Sequence, residues 1–525
     1  MTADAAAPGH PAPGHPVPGH PASASTAPGS TAPGSTAPGR ERAGIPWLLA
    51  WLAFLPVAVL RAGVLAESDT FWEIRTGLLT IDRRAIPTAD PFSWTVHGQA
   101  WTLNSWGFNV LVAMAYKLAG LAGAAVACAC LIMVAAAVTL ALARTLGASA
   151  LLTGALLLAG ASIPLVPWLQ ARPELVDYTA VPALVLLLRQ VVRSARPGRW
   201  LLAVAALSVI WVNLHAAALF GVAIAATSAA LQLARRRTRG SGWRCALATA
   251  AAAAAAFVNP QGFALITQTA RVRSASAGVV TEWNHFDPAS PLQWAILAAG
   301  IVALVLTARR GDAILAAALS VAIAGALTAL RIQPILVLLT VPVLAAAGSG
   351  PAVRSYVRSR RVVLYPGAAA LVLAVAIVAA PSLGHLGRPD SAIYPRWLVA
   401  QIPPGCRLFN SYLLGGFVIL QRPDVPVSLD SRNDIYGRAR IVADERVLRG
   451  QGDIASELAG AGCVLVPPSA GLARRLARDP AWVVRAAGPA AALYVRRCGG
   501  TAVRHCGGAA VSTARPARAV ERPAK

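Results

Sequence analysis

Long apolar runs separated by short polar loops dominate the chain between Ile45 and Ala380. Runs of about 20 residues are long enough to cross the hydrocarbon layer of a bilayer as helices. A membrane barrel would show short segments of alternating polarity, whereas Leu121–Ala143 and Val362–Ala380 are almost continuously apolar. The pattern therefore predicts an α-helical polytopic membrane protein.

The apolar pattern divides into about 11 predicted transmembrane helices. The first is Ile45–Leu65, which is too long for a signal-peptide core and has no convincing small-residue cleavage site after it. The other ten lie near residues 121–143, 149–168, 174–192, 200–214, 216–234, 244–258, 291–307, 312–330, 332–347 and 362–380. The segment Asn104–Gly120 is short for a span and carries aromatic and basic residues near its ends, so we predict a helix lying in the interface.

Arginine-rich loops follow the predicted spans that end near residues 192, 234, 307 and 347. Loops rich in basic residues stay on the cytoplasmic side of a membrane. All four loops fall on that side when the N-terminus is cytoplasmic. The same count places the loop 66–120 and everything after about residue 381 outside the cytoplasm.

Composition agrees with a chain whose solvent is lipid. Hydrophobic residues make up 56% of the sequence and charged residues only 13%, which is more apolar material than one soluble core buries. The net charge of +25 raises the question of nucleic acid, but many of the arginines bound the apolar runs. We therefore expect the lipid bilayer as a partner and no nucleic acid.

Four segments follow from these patterns. Residues 1–43 are a Pro-, Gly-, Ser- and His-rich repeat that predicts a disordered cytoplasmic arm, and residues 44–383 form the transmembrane domain with its outer loop 66–120. Residues 384–498 alternate short β-like and helix-like pieces and predict a small extracytoplasmic α/β domain, and residues 499–525 predict a disordered tail. Four cysteines lie beyond residue 400, and the sequence leaves their pairing open.

Carboxylates stand immediately after the first predicted span, in the sequence ESDTFWEIRTG. They are Glu67, Asp69 and Glu73. One interpretation is that they are ordinary interfacial acids at a helix end. The other is that they form a reactive site, and the motifs around them favour it.

The outer loop continues with Asp90-Pro91-Phe92-Ser93, Trp101 and Trp106. Further motifs stand downstream in a fixed order at the predicted outer ends of spans: Ala171-Arg172-Pro173, Trp211-Val212-Asn213-Leu214-His215, Asn259-Pro260-Gln261-Gly262, Glu282-Trp283 and Arg331-Ile332-Gln333-Pro334. With this set the chain resembles a family of bacterial multispanning proteins of the GT-C glycosyltransferase superfamily, which includes protein O-mannosyltransferases and aminoarabinose transferases. The resemblance covers about residues 45–497.

The resemblance implies a GT-C-like fold in the bacterial plasma membrane and a sugar transferase activity. In such enzymes a carboxylate of the first outer loop is the base or a metal ligand, which by position is Asp69. Glu67 completes an acidic E-x-D pattern and is the second catalytic candidate. The implied partners are a polyprenyl-phosphate sugar donor and an extracytoplasmic glycan, lipid or protein acceptor. The need for a metal stays unknown, with a divalent cation as an option.

Two arginines at outer span ends are candidates for binding the donor phosphate. A guanidinium stays charged at the membrane surface and binds phosphate through two N–H groups. Arg172 and Arg331 lie where buried ions are costly and usually functional. The alternative is that each extends to the interface to keep its charge in water.

The remaining candidates for substrate binding are polar or aromatic residues of the same outer side. His215, between two spans, orients an acidic partner or the substrate, or it satisfies a break in the helix. Asp90 binds substrate or is a turn residue before a proline. Glu282 and Trp283 meet the sugar, or Trp283 belongs to an interfacial aromatic belt.

These observations predict a membrane glycosyltransferase that moves a sugar from a polyprenyl-phosphate donor to an extracytoplasmic acceptor. A polytopic transporter is the first alternative, although the chain has no convincing internal repeat. A nonenzymatic scaffold or assembly protein on the same fold is the second, and it would tolerate the loss of Asp69.

Overall fold

The computed structural model describes residues 44–160 and 164–497. The predictions made for residues 1–43 and 499–525 lie outside these ranges, as do Cys498 and Cys506. Within them the chain is mostly helical. From residue 44 onward the described residues belong to one compact unit.

Fifteen helices lie between residues 44 and 380 of the described chain. They are α1 (Ile45–Leu52), α2 (Leu55–Gly63), α3 (Asp69–Arg83), α4 (Trp106–Thr145), α5 (Ala150–Gly160), α6 (Glu174–Arg193), α7 (Gly198–Leu214), α8 (Ala218–Leu233), α9 (Arg239–Ala255), α10 (Ala264–Ser276), α11 (Pro291–Arg309), α12 (Ala313–Thr328), α13 (Gln333–Gly348), α14 (Pro351–Ser359) and α15 (Arg361–Ala379). Each of the predicted spans coincides at least in part with one or two of these helices.

Six helical segments in the described residues are long and apolar enough to cross a membrane. The segment Leu330–Gly348 buries 78% of its apolar stretch inside the protein, whereas Arg361–His385 buries 6%. The first is therefore central in the bundle, and the second leaves apolar side chains for lipid. Helices α7, α8 and α12 are apolar but shorter, so the count of 11 spans stays a prediction.

Helix α4 contains a break near its first third. Ala119 and Gly120 leave helical geometry, and Gly120 has a φ of 60° and a ψ of −151°, which glycine adopts at low cost. The break falls where the predicted interfacial segment Asn104–Gly120 ends. The helix direction thus changes at the boundary that the sequence pattern indicated, while the position of the segment relative to lipid stays a prediction.

A small mixed sheet lies in the last part of the described chain. Its strands are β3 (Leu408–Asn410), β4 (Cys463–Val466), β5 (Trp482–Ala487) and β6 (Ala492–Arg496), and their spatial order is β3-β4-β6-β5. Strand β3 pairs with β4 in parallel, and the other pairs are antiparallel. The helices of this part are α16 (Arg396–Val399), α17 (Tyr412–Gln421), α18 (Asn433–Leu448), α19 (Ile454–Glu457) and α20 (Gly471–Leu476). The predicted alternation of strand and helix pieces is present, and the domain boundaries stay a prediction.

The segment of residues 384–497, which is called the tail from here on and is distinct from residues 499–525, packs directly against the start of α3. Gly416 in α17 lies so close to Ser68 that a Cβ atom there would stand 2.3 Å from the Ser68 carbonyl oxygen. The ring of Phe71 meets that of Phe417 at 5.1 Å and that of Tyr394 at 4.9 Å. A glycine and an aromatic cluster thus hold the N-terminal end of α3 against the tail.

A second link joins the tail to the first helices. Strand β1 (Val64–Leu65), between α2 and α3, pairs in parallel with β2 (Arg388–Pro389). Backbone hydrogen bonds from Gly387 to Ala62 and from Asp390 to Leu65 therefore fix the segment that leads into α3. The conformation of Glu67 and Asp69 depends on residues more than 300 positions away.

Cys406 and Cys463 form a disulfide within the tail sheet. Cys463 begins β4, and Cys406 lies just before β3, so the bond adds a covalent link between parallel neighbours. The sequence left this pairing open. The bond closes a loop across a separation of 57 residues.

Reduction of this disulfide is expected to destabilise the purified protein. The chain-entropy estimate for a loop of this size, with the usual losses to strain, is about 2–4 kcal/mol. Thermal unfolding with and without reductant measures the effect. The double variant Cys406→Ser/Cys463→Ser should unfold earlier than wild type and should not respond to reductant, and a wild type that ignores reductant would contradict the expectation.

Candidate active site

Two carboxylates stand at the beginning of α3, directly after β1. Asp69 is the first residue of the helix, where a negative charge is favoured by the helix dipole. Glu67 precedes it by two residues, and both side chains are mostly buried. The turn from β1 into α3 therefore presents both acids to the same space.

Arg172 lies among these carboxylates, just before α6. Its Nη2 is 2.8 Å from Asp69 Oδ2, and its Nη1 is 3.8 Å from Glu67 Oε2. It also donates two parallel hydrogen bonds to Glu282, of 2.6 Å and 3.0 Å. Such a forked, charge-assisted pair is among the strongest polar contacts in proteins. Burial alone would lower the pKa of Arg172. The surrounding carboxylates raise it by more, so the pKa lies above the ordinary value for arginine.

Arg331 approaches the same carboxylates from the start of α13. It forms an ion pair with Glu174, and its Nη1 is 3.7 Å from Glu282 Oε1. Its guanidinium carbon lies 4.3 Å from the centre of the Trp283 ring, within the range of a cation–π contact. Glu174 also reaches Arg172, with 3.6 Å between Oε2 and Nε. The two arginines thus share Glu174 and Glu282.

The cluster contains more acidic than basic groups. Four carboxylates, those of Glu67, Asp69, Glu174 and Glu282, face two guanidinium groups. Burial, opposed by Arg172 and reinforced by Asp69 and Glu282, raises the pKa of Glu67 to about 7. Glu67 therefore exchanges its proton near neutral pH.

A further acid, Glu73, lies one turn after Asp69 along α3. Burial and the charge of Asp69 hold the pKa of Glu73 well above its usual range. One of its carboxyl oxygens has no hydrogen-bond partner among the described residues. Its surroundings therefore favour the neutral form of Glu73 over the charged form.

The tail holds one of the polar partners of Asp69 in place. Trp72 donates through Nε1 to Asp69 Oδ1 at 3.1 Å and to Ser431 Oγ at 3.1 Å. The hydroxyl of Ser68 donates to the same Ser431 oxygen at 2.9 Å. Both oxygens of Asp69 therefore have partners, and one of those partners is fixed by the tail.

Asp90 belongs to a neighbouring buried ion pair. Its Oδ1 lies 2.7 Å from Arg432 Nη1, and Asp430 pairs with the same guanidinium at 2.6 Å. The hydroxyl of Tyr436 donates to Asp430 at 2.7 Å. Asp90 is not among the residues that line the cavity described below, whereas Arg432 is. Asp90 thus contacts the tail and also accepts hydrogen bonds from Phe92 and Ser93 of its own turn, and a direct role in substrate binding has no geometric support.

His215 pairs with an acid that the sequence analysis did not single out. Its Nδ1 lies 2.8 Å and 2.9 Å from the two carboxyl oxygens of Asp177. Trp211 donates to Asp177 at 2.7 Å. The motif Trp211–His215 therefore has a structural partner on α6, one turn from Glu174, and both His215 and Asp177 face the cavity.

A cavity of about 940 Å³ opens beside the charged cluster. All four carboxylates and both arginines of the cluster line it, together with Trp283 and His215. The other walls include apolar side chains, and the tail closes one side with Tyr412, Leu413 and Ser431. Its volume is in the upper part of the range for small-molecule sites, which is about 300–1,000 Å³. The lining therefore combines a charged cluster with apolar side chains.

The cluster as arranged does not fit a divalent cation. No group of three or more His, Cys, Asp or Glu residues in the described ranges is placed to hold a metal ion. The carboxylates converge on Arg172, so a guanidinium occupies the position between them.

Of the predicted site residues, Glu67, Asp69, Arg172, Glu282 and Arg331 lie in one cluster with Trp283. Sequence reasoning missed Glu174 and Asp177. A signal was present in ARPELVD, because Glu174 and Asp177 are three apart at a helix start and so face the same side. The roles of Ser431 and Arg432 had no local signal, since tail folding alone brings them here.

Comparison with known proteins supplies the fold. The chain matches no family profile and no curated protein sequence. Among solved structures it is similar to ArnT from Cupriavidus metallidurans bound to undecaprenyl phosphate, with a TM-score of 0.55, 14% identity and coverage of 87% of this chain and 99% of that one. The same protein in the apo state gives a TM-score of 0.53 at 14% identity, covering 86% of this chain and 98% of that one.

A second similar structure is the oligosaccharyltransferase AglB from Archaeoglobus fulgidus in complex with an inhibitory peptide and a dolichol-phosphate. Its TM-score is 0.50 at 13% identity, and the match covers 80% of this chain and 69% of that one. The chain therefore shares the fold of ArnT and AglB, and the resemblance predicted from its motifs is confirmed at the level of fold.

Proposed function

We propose that this GT-C-fold protein is a membrane glycosyltransferase that moves a sugar from a polyprenyl-phosphate donor to an extracytoplasmic glycan, lipid or protein. One observation carries the proposal. Carboxylates for an acceptor and arginines for a phosphate converge in the lining of one cavity, which also contains apolar side chains such as Leu219, Phe220 and Ile266. A lipid-linked sugar phosphate likewise combines a charged head with an apolar chain.

Arg172 and Arg331 are the proposed phosphate ligands. Both bind the carboxylates of Glu174 and Glu282, which present two oxygens side by side as a phosphate does. A donor phosphate would compete for the same N–H groups, and the arginines would then stabilise the negative charge that develops on the leaving phosphate. The similar structures contain undecaprenyl phosphate in ArnT and a dolichol-phosphate in AglB, which supports a lipid-phosphate ligand for this chain.

The transfer step forms one bond and breaks another. The acceptor heteroatom bonds to the anomeric carbon, and the bond from that carbon to the phosphate oxygen breaks with its electron pair going to phosphate. The acceptor proton passes to a carboxylate. Displacement in one step inverts the anomeric centre.

We propose that Glu67 takes up the proton of the acceptor and that Asp69 orients the acceptor. The sequence analysis gave the base role to Asp69, but both its oxygens already accept contacts from Arg172 and Trp72. Glu67 has a contact of 3.8 Å with Arg172 and a hydrogen bond from the backbone of Asp69, and its pKa of about 7 is matched to a base at neutral pH. Asp69 retains lone pairs with which to hold the acceptor hydroxyl or amide.

This assignment predicts the pH dependence of transfer. A base works when deprotonated, so the rate should rise with pH through about 7 and level off above it. The variant Glu67→Gln should lose about 100-fold in rate and should lack this rise. Rates measured across neutral pH in wild type and variant check the assignment, and an unchanged rise in Glu67→Gln would return the base role to Asp69.

The outward orientation of the site belongs to the same proposal. Arginine-rich loops lie at the opposite helix ends, and the tail contains a disulfide, which persists in oxidising compartments. Thiol trapping in intact cells before lysis tests it. Protected Cys406 and Cys463 support a tail outside the cytoplasm, whereas full alkylation of both would place it inside.

Membranes test the activity itself. Membranes from a strain that lacks this protein are compared with membranes from the same strain complemented with it. Both are supplied with labelled polyprenyl-phosphate sugars. Label should enter acceptor material only in the complemented membranes. Equal labelling for every donor would contradict the transferase and leave a transporter or a scaffold as the better interpretation.

A further inference from the structure

A second cavity, of about 380 Å³, lies at the other end of the helical bundle. Helix α6 connects the two sites, because Glu174 at its start belongs to the charged cluster and Arg193 at its end lines the second cavity. Its 20 residues correspond to a separation of about 30 Å. The second cavity is therefore distinct from the proposed active site.

The cavity is strongly basic. Arg189, Arg193, Arg235 and Arg310 line it, and Asp312 is the only carboxylate among its lining residues. Asp312 is already engaged, because it pairs with Arg189 and its side chain also accepts the hydrogen bond that begins α12. Within the described chain the other three arginines have no carboxylate partner. Positive charge in this cavity is thus left without a counterion from the protein.

Two buried donors in the lining have no partner. Arg189 is 5% exposed and its Nε is without a hydrogen bond, and Thr307 is 2% exposed and its Oγ1 is likewise without one among the described residues. An unpaired buried polar group costs about 1–3 kcal/mol, so such groups usually have a partner that protein atoms do not supply. Both residues belong to packed helices, α6 and α11, and are held in place before any ligand arrives.

We propose that this cavity binds a phosphate group, carried by an anionic membrane lipid or free in solution. Arginines and a hydroxyl match the oxygens of phosphate in charge and in hydrogen bonding. Basic pockets between transmembrane helices on the cytoplasmic side bind lipid head groups. The volume suits a head group rather than a whole lipid, whose chains would lie along the outer surface of the bundle. The site does not depend on the proposed transferase activity.

Thermal unfolding of the purified full-length protein in a neutral detergent tests the site. Short-chain phosphatidylglycerol, short-chain phosphatidylcholine and inorganic phosphate are titrated separately. Phosphatidylglycerol should raise the unfolding temperature, because a ligand of the folded state stabilises it. The double variant Arg193→Gln/Arg310→Gln should weaken the apparent affinity at least about tenfold, as expected for lost charge-assisted contacts.

Matched variants separate a site from general surface charge. Arg309→Gln removes the same charge at the neighbouring position, which does not line the cavity, and should bind as wild type does. Thr307→Val keeps the side-chain shape, removes the free hydroxyl and should also weaken binding. A response to phosphatidylglycerol alone identifies a lipid head group, and a response to inorganic phosphate as well identifies a phosphate site independent of lipid. No shift with either probe, or equal weakening by Arg309→Gln, would overturn the proposal.

Discussion

Replacing Asp69 by asparagine is expected to lower sugar transfer by at least about 100-fold while leaving the protein folded and in the membrane. Asparagine keeps the shape of the side chain and can still accept the Trp72 hydrogen bond. It loses the charge that faces Arg172 at 2.8 Å and that would orient the acceptor. Misplacement of a reacting group by about 1 Å alone costs about 100-fold.

The same helix offers a matched control for this variant. Asp82 lies near the other end of α3, is half-exposed and pairs only with the exposed Lys117. Asp82→Asn removes an equal charge at the surface, where an ion pair contributes little, and should transfer sugar as wild type does. Transfer is compared in membranes with matched protein abundance. Normal transfer by Asp69→Asn would contradict the proposed site and would suit a scaffold on this fold.

Replacing Arg172 by glutamine is expected to affect both activity and stability. It leaves the carboxylates of Glu67, Asp69 and Glu282 close together without their shared cation. Breaking a buried ion pair in this way costs about 3–5 kcal/mol. We expect a loss of transfer of about 1,000-fold, because the proposed phosphate ligand disappears as well. Thermal unfolding in detergent and transfer assays in membranes measure the two effects.

Two companion variants separate charge from geometry at this position. Arg172→Lys keeps the positive charge but not the forked donor. Relative to Arg172→Gln, it should therefore restore the unfolding temperature more fully than the rate of sugar transfer. The double variant Arg172→Gln/Glu282→Gln also removes one of the carboxylates that have lost their cation. It should unfold at a higher temperature than Arg172→Gln alone, with sugar transfer still absent. If Arg172→Lys transferred sugar as wild type does, the two-point binding of phosphate would be contradicted.

Much of the fold followed from local pattern. Apolar runs predicted the helices because a lipid-facing helix must be apolar over its whole length. The break at Gly120 and the acids at the start of α3 also had local signals, in a short amphipathic segment and in ESDTFWEIRTG. Ordered motifs at the outer span ends then brought Arg172, Glu282 and Arg331 into one predicted region.

The pairing of charges within that region had no such signal. Which carboxylate binds which arginine depends on helix rotation, so the sharing of Glu174 by both arginines could not be read from the chain. The contact of Asp90 with Arg432 joins positions far apart in sequence and required the tail to fold against the outer loop. The pKa of Glu67 likewise follows from burial and from three charged neighbours rather than from its own residue type.

The central claim is that this chain transfers sugar from a lipid-phosphate donor, and the most direct test is a purified system. Wild-type protein and Asp69→Asn are reconstituted in liposomes with labelled polyprenyl-phosphate sugars and acceptor material, and both products are measured. The account predicts that wild type releases polyprenyl phosphate and glycosylates the acceptor in equal amounts, and that Asp69→Asn does neither. The contradicting result is a donor that stays intact for every sugar and acceptor tried. It counts only if the wild-type protein in the liposomes is folded and binds polyprenyl phosphate.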